Sequence, residues 1–215
     1  MNFHDKIVLV TGGTGGLGRE VTIAFLEAGA KVAVTYRAPE EYATVVSAAE
    51  RSGAATLTGA KIDVTDAQAV EAFVSGIVAS HGRLDVLVNT VGGYAGGVNL
   101  WEVNPREYDR MLQLNLKAGF VLARAVVPQM IKQNRGWIVN IASKAAFDHA
   151  AGASLYAASK AAALALMDSL AADVLQDSAR FDSVSVEQAG VVQWQNRSFP
   201  SFGRGFDSHR PLHNP

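Results

Sequence analysis

Tyr156 and Lys160 stand four residues apart in the run YAASK. On a helix that spacing puts both side chains on one face. A tyrosine alone is a weak acid at neutral pH, with an ordinary pKa of about 10. A lysine ammonium beside it favours the phenolate and lowers that value. Such a pair can give a proton to an oxygen and take one back. An isolated YxxxK usually amounts to an aromatic and a solvated charge on an amphipathic helix, so the rest of the chain must decide. A second chemistry is written in TGGTGGLGRE, residues 11–20, which places five glycines between an apolar run and a helical one. A phosphate needs backbone N–H donors at close range with a helix N-terminus behind them, and side chains there would block it. Gly12, Gly16 and Gly18 supply that opening in the pattern TGxxxGxG.

The elements that must position these residues follow in strict alternation. KIVLVT reads as a strand and GLGREVTIAFLEAG as a helix closing on Gly29. AKVAVTYR is a second strand, PEEYATVVSAAERSG a helix, and ATLTGAKIDV contains a third strand. TDAQAVEAFVSGIVASHG starts on Thr65 or Asp66 as a cap and ends at Gly82. LDVLVNT is a fourth strand, and one long helical region spans roughly residues 105–133. GWIVNIAS is a fifth strand, and residues 154–176 form a long alanine-rich helix. The strands are near-continuous Val/Ile/Leu runs, as strands buried on both faces should be. The alternation predicts an α/β fold, a doubly wound, Rossmann-type parallel sheet in three layers.

Composition excludes several classes. The chain has 215 residues, 49% hydrophobic and 18% charged, which suits one soluble domain with a large core. A net charge of -1 leaves no electrostatic footprint for nucleic acid. There is no cysteine, hence no disulfide and no thiolate metal site. His4, His209 and His213 lack ligand-like spacing, so no metal site is expected. No signal peptide and no apolar run of membrane-spanning length is evident, and the expected location is cytoplasmic.

In order along the chain stand TGxxxGxG at residues 11–18, Asp63-Val64, VNTVGG at 88–93, LNL at 114–116, Ser143, and YAASK at 156–160. On these motifs the chain resembles the short-chain dehydrogenase/reductase family over roughly residues 5–186. The usual NNAG is altered here to Asn89-Thr90-Val91-Gly92. The resemblance implies an NAD(P)-dependent oxidoreductase that moves hydride between the cofactor and a carbonyl or C=N substrate. It implies Tyr156 as acid/base and Lys160 as its modulator and a ribose ligand. It implies Ser143 as the hydrogen-bond partner of the substrate carbonyl, and Asn115 as the holder of a water in a proton relay to Lys160. It places Thr11, Gly12, Thr14, Gly16, Leu17, Gly18, Asn89 and Gly92 around the cofactor, with Asp63 and Val64 flanking the adenine. It also implies a dimer or tetramer, with the helices carrying Asn115 and Tyr156 forming one interface.

Cofactor choice turns on the end of the second strand. An acidic residue there would bind a ribose 2′-OH, and an arginine a 2′-phosphate. The sequence gives Tyr36 and Arg37, a planar permanent cation suited to phosphate. Glu40 and Glu41 are close enough in sequence to pair with it. The reading is NADP, with NAD as the alternative. For the substrate, VGGYAGG at 91–97 and SKAAFD at 143–148 are similar to segments of dihydropteridine reductases, which makes a flat, pterin-like molecule one candidate. Reductases of 3-oxoacyl thioesters, small ketones and sugars in the same family supply others. Trp101, Phe147 and His149 are either residues that line the site or ordinary loop and core residues, and the second reading is put first.

The C-terminal residues break the pattern. RFDSVSVEQ supplies a sixth strand, so residues 1–186 are expected to form the domain. Residues 187–215 read as an irregular tail without apolar period, in place of the family's substrate loop, last helix and seventh strand. The expectation is a C-terminally truncated domain, with a cofactor-binding remnant of little turnover as the alternative to an active enzyme. The tail can also be read as a transfer-RNA gene translated in frame. Synonymous codons for residues 204–209, CGT GGG TTC GAC TCC CAC, form a T-arm hairpin. Codons for 197–202 form an anticodon arm around CCC, a glycine anticodon. Those for 189–191 and 210–212 pair as an acceptor stem. Sequencing the DNA over codons 189–213 tests this reading, and codons that cannot form these stems overturn it.

Overall fold

The computed structural model describes residues 3–51, 56–177 and 184–189. The apolar runs form six strands: β1 (Ile7–Thr11), β2 (Lys31–Tyr36), β3 (Leu57–Lys61), β4 (Val86–Asn89), β5 (Gly136–Ile141) and β6 (Val184–Ala189). All pair in parallel, in the order β3-β2-β1-β4-β5-β6. This is the doubly wound, Rossmann-type sheet that the alternation predicts. Between the strands run α1 (Gly16–Glu27), α2 (Pro39–Arg51), α3 (Ala67–His81), α4 (Pro105–Leu112), α5 (Ala118–Lys132) and α6 (Ser154–Asp177).

Two cores, one on each face of the sheet, hold the layers together. Leu9 and Leu87 point to the face covered by α3 and α5, where Val74, Leu122 and Met130 are buried with them. Val8, Val10, Val32 and Val34 point to the other face, against Leu26 of α1 and Ala49 of α2. Strict side-chain alternation along a strand thus feeds both layers, which is why β1 is buried at all five positions.

Helix limits follow local chemistry. Asp66, not Thr65, caps α3: its carboxylate accepts from the backbone N–H groups of Gln68 and Ala69. Gly82, at φ +74°, closes that helix in the left-handed region. The single helix expected over 105–133 is interrupted. One π-helical turn, Gln113–Lys117, separates α4 from α5. Apolar periodicity does not register one extra residue in a turn, so only the structure reveals it. β6 runs to Ala189, three residues past the domain limit expected at 186, in register with β5 over its whole length. Residues 190–215, with the tail reading and His209 and His213, lie outside the described residues. Among the described residues no helix is long and apolar enough to cross a membrane.

Candidate active site

Parallel strands leave their C-terminal ends on one edge of the sheet, where ligands bind in such folds. Side chains stitch three of those ends together. Thr11 Oγ1 donates to Asn89 Oδ1 at 2.9 Å, and Asn89 Nδ2 donates to Asn140 Oδ1 at 2.8 Å. Thr11 and Asn89 are therefore buried in a protein network beneath the loops they position. Thr90, the departure from the usual motif, makes its own bond: its hydroxyl donates to Thr11 O at 2.7 Å.

The glycine loop follows β1. Gly12 turns at φ +67°. A Cβ on Gly18 would stand 2.1 Å from Gly12 O, so the helix can pack against the loop only without a side chain there. A Cβ on Gly16 would meet nothing within 4 Å. The loop is closed on one side and open on the other. No side chain caps α1, whose N-cap is Gly15, so its first N–H groups face that opening. A cradle of this kind fits a dinucleotide pyrophosphate. Leu17 is half-buried beside it, and Thr14 Oγ1 donates to Glu41 Oε2 at 2.9 Å.

Past β2, Tyr36 stacks on Tyr42 with ring centroids 4.6 Å apart. Arg37 is exposed and has no ion pair among the described residues; Glu41 engages Thr14 instead. Past β3, Asp63 accepts from the Thr65 N–H and hydroxyl, both at 2.8 Å. Those two bonds, more than the cations of Lys117 and Arg37, hold its carboxyl below the ordinary range. Val64 is a core side chain at 5% exposure.

Past the ends of β4 and β5 lie the predicted proton-handling residues, and contacts link Asn115 with Lys160 through Gly92 and with the backbone of Tyr156 through Ser159. Lys160 is buried, and its Nζ donates to Ile141 O at 2.9 Å. That burial pulls its pKa below the ordinary lysine value. Gly92 lies against both Lys160 and Asn115: a Cβ there would stand 3.0 Å from Asn115 Oδ1 and 3.3 Å from Lys160 Nζ. Three hydrogen bonds to Gly93 and Ser159 hold the Asn115 amide. Its Oδ1 accepts from Gly93 N, and its Nδ2 donates to Gly93 O and to Ser159 Oγ, each at 2.9 Å. Ser159 in turn donates to Tyr156 O at 2.9 Å. Ser143 Oγ accepts from Ala145 N at 3.2 Å, capping a short 3-10 turn, Lys144–Ala146. Tyr156 is half-buried, its ring 5.0 Å from that of Tyr94 and nearly perpendicular to it.

Sequence reading missed Gly93, Ser159, Tyr94 and Glu41. Ser159 carried a signal, since it lies three residues past Tyr156 on the same helix. Trp101 and Phe147 are not core residues: they are 82% and 65% exposed, and His149 is exposed as well.

A bare helix N-terminus behind the first strand, with a tyrosine–lysine pair two strands away, is the architecture of a dinucleotide-dependent oxidoreductase. The family model for short chain dehydrogenases matches residues 6–193, and the chain belongs to that family. An uncharacterized oxidoreductase of Thermotoga maritima is 37% identical over 186 residues, covering 86% of this chain and 72% of the relative. A 3-oxoacyl-[acyl-carrier-protein] reductase of the same organism is 32% identical over 190 residues, 86% of this chain and 74% of the relative. Among solved structures, a metagenomic short-chain oxidoreductase in complex with NADP superimposes with a TM-score of 0.81 at 32% identity. That match covers 90% of this chain and 85% of the other.

Proposed function

We propose that this chain moves hydride between NADPH and the carbonyl or C=N carbon of a small molecule, with NAD as the alternative cofactor. The dinucleotide, when bound, supplies or accepts the hydride. In the reducing direction, the π pair of the carbonyl goes to its oxygen as hydride reaches the carbon. The Tyr156 hydroxyl gives that oxygen a proton, and the buried Lys160 ammonium favours the phenolate left behind. The Ser143 oxygen already accepts from Ala145 N, which leaves its proton to donate to the same substrate oxygen. The Asn115 side chain acts as a positioning group, fixing Gly93 and, through Ser159, the backbone of Tyr156. Asn115 is also read, from its place in the family motif, as the holder of a water in a relay to Lys160. Arg37 is read as the 2′-phosphate ligand because it is exposed and makes no salt bridge among the described residues.

The observation that carries this reading is Lys160 at 6% exposure, held on Ile141 O one helical turn from Tyr156. The candidate substrates are a pterin-like molecule, 3-oxoacyl thioesters, small ketones and sugars. A panel of these carbonyls, including quinonoid dihydropterin, tested with NADPH and NADH side by side, decides. Turnover of at least one with NADPH favoured supports the reading. Cofactor binding without turnover on any points instead to a binding remnant, and absence of binding overturns both. We also assign association into dimers or tetramers to the outer faces of α4, α5 and α6, and a cytoplasmic location.

A further inference from the structure

The loop leaving β4 is held unusually firmly around one exposed ring. Both backbone polar groups of Gly93 bond to Asn115. The next carbonyl, Tyr94 O, accepts from Arg110 Nη2 at 3.2 Å. Gly97 N donates to Gly152 O at 2.9 Å, which ties this loop to the one leaving β5. Gly96 gives way to the Tyr94 side chain: a Cβ there would stand 2.2 Å from the Tyr94 hydroxyl oxygen. The ring thus leaves a backbone held on Arg110, passes over Gly96 and packs against Tyr156, yet Tyr94 remains 63% exposed. Of the seven large apolar residues exposed among the described residues, five lie on these two loops: Tyr94, Val98, Leu100, Trp101 and Phe147. Single exposed apolar residues need no explanation, but a group on two loops tied to each other, with one of its rings against Tyr156, marks a binding surface. A rigid aromatic ring loses little freedom on contact and favours another flat ring against it.

We propose that Tyr94 determines specificity, stacking on a flat aryl or heteroaryl group attached to the carbonyl that is presented to Tyr156. This rests on the hydride-transfer function proposed above. Two keto esters that differ only in that group, ethyl benzoylformate and ethyl pyruvate, test it with NADPH. The parent should prefer the benzoyl ester in kcat/KM. Tyr94→Ala should reduce that preference about two- to tenfold, mainly through KM, which is what one aromatic contact contributes. Tyr94→Phe should keep it, and the pH profile on ethyl pyruvate should not move in either variant. No preference in the parent, an unchanged ratio in Tyr94→Ala, or an equal fall for both esters overturns the assignment. If the parent turns over neither ester, the hydride-transfer reading fails for these carbonyls, and binding then decides the Tyr94 assignment separately. Calorimetry of ethyl mandelate and ethyl lactate with the protein and NADP should show a mandelate preference that Tyr94→Ala loses. Absence of that preference, or its survival in Tyr94→Ala, overturns the assignment.

Discussion

Lys160 is buried at 6% exposure, and burial works against its ammonium. Burial disfavours the ammonium, so its folded pKa lies below the ordinary 10.5. The unfolded chain therefore holds more protons than the folded one between the folded pKa and 10.5, and stability rises with pH across that window. Below it the cost is fully present. Lys160→Met should then be more stable than the parent at pH 7, with the gap narrowing as pH approaches 10.5. Urea denaturation at several pH values measures it, and a constant gap would show that burial of the charge is not the cause. Tyr156→Phe should lower turnover by about two to four decades, the usual yield of general acid–base catalysis, with cofactor affinity nearly unchanged. Fluorescence titration beside steady-state rates checks both halves. The Tyr156–Lys160 pair was legible in the sequence because it is local. The partners of Asn115 were not, since Gly93 and Ser159 lie 22 and 44 residues away.

Among the elements, the turn between β1 and α1 separates packing from binding. Gly18→Ala drives a methyl into Gly12 O and should destabilise the protein by about 1–3 kcal/mol, the cost of overpacking. Gly16→Ala meets no protein atom, so it should leave thermal stability unchanged and weaken cofactor binding instead. Melting curves with and without NADPH distinguish the two, and equal effects on both readouts would show that the cradle is misassigned. At the end of β2, Arg37→Asp should weaken NADPH much more than NADH, by about ten- to hundredfold for one charge-assisted bond. Equal losses in fluorescence titration would remove the 2′-phosphate assignment. Strands and helices were legible because valine-rich runs and glycine or aspartate caps leave local signatures. The π-helical turn left none, and neither did the Thr14–Glu41 bond, which needs α2 packed beside the loop.

At the scale of the molecule, two outer concavities stand out. One of about 330 Å³ is lined by Leu112, Leu116 and Phe120 among others, with Phe120 half exposed. The other, about 350 Å³, lies along the alanine face of α6 at Ala157, Ala158 and Ala161. Asp109, Gln113 and Lys117 complete the first lining, and the apolar part of each concavity fits the association assigned above to these helices. Phe120→Asp should weaken association at least about a hundredfold, because a buried unpaired charge costs several kcal/mol. Light scattering across a dilution series measures it, and an unchanged mass would place the meeting surface elsewhere. The turn at Gln113–Lys117 both lines the first concavity and holds Asn115 against Gly93. It takes up one residue more than a regular turn without changing the phase of α5 relative to α4. Loss of a single codon there would therefore leave a continuous helix with its two halves still in step, and only the placement of Asn115 would go. Such a chain should keep its fold while the loop after β4 loses its anchor.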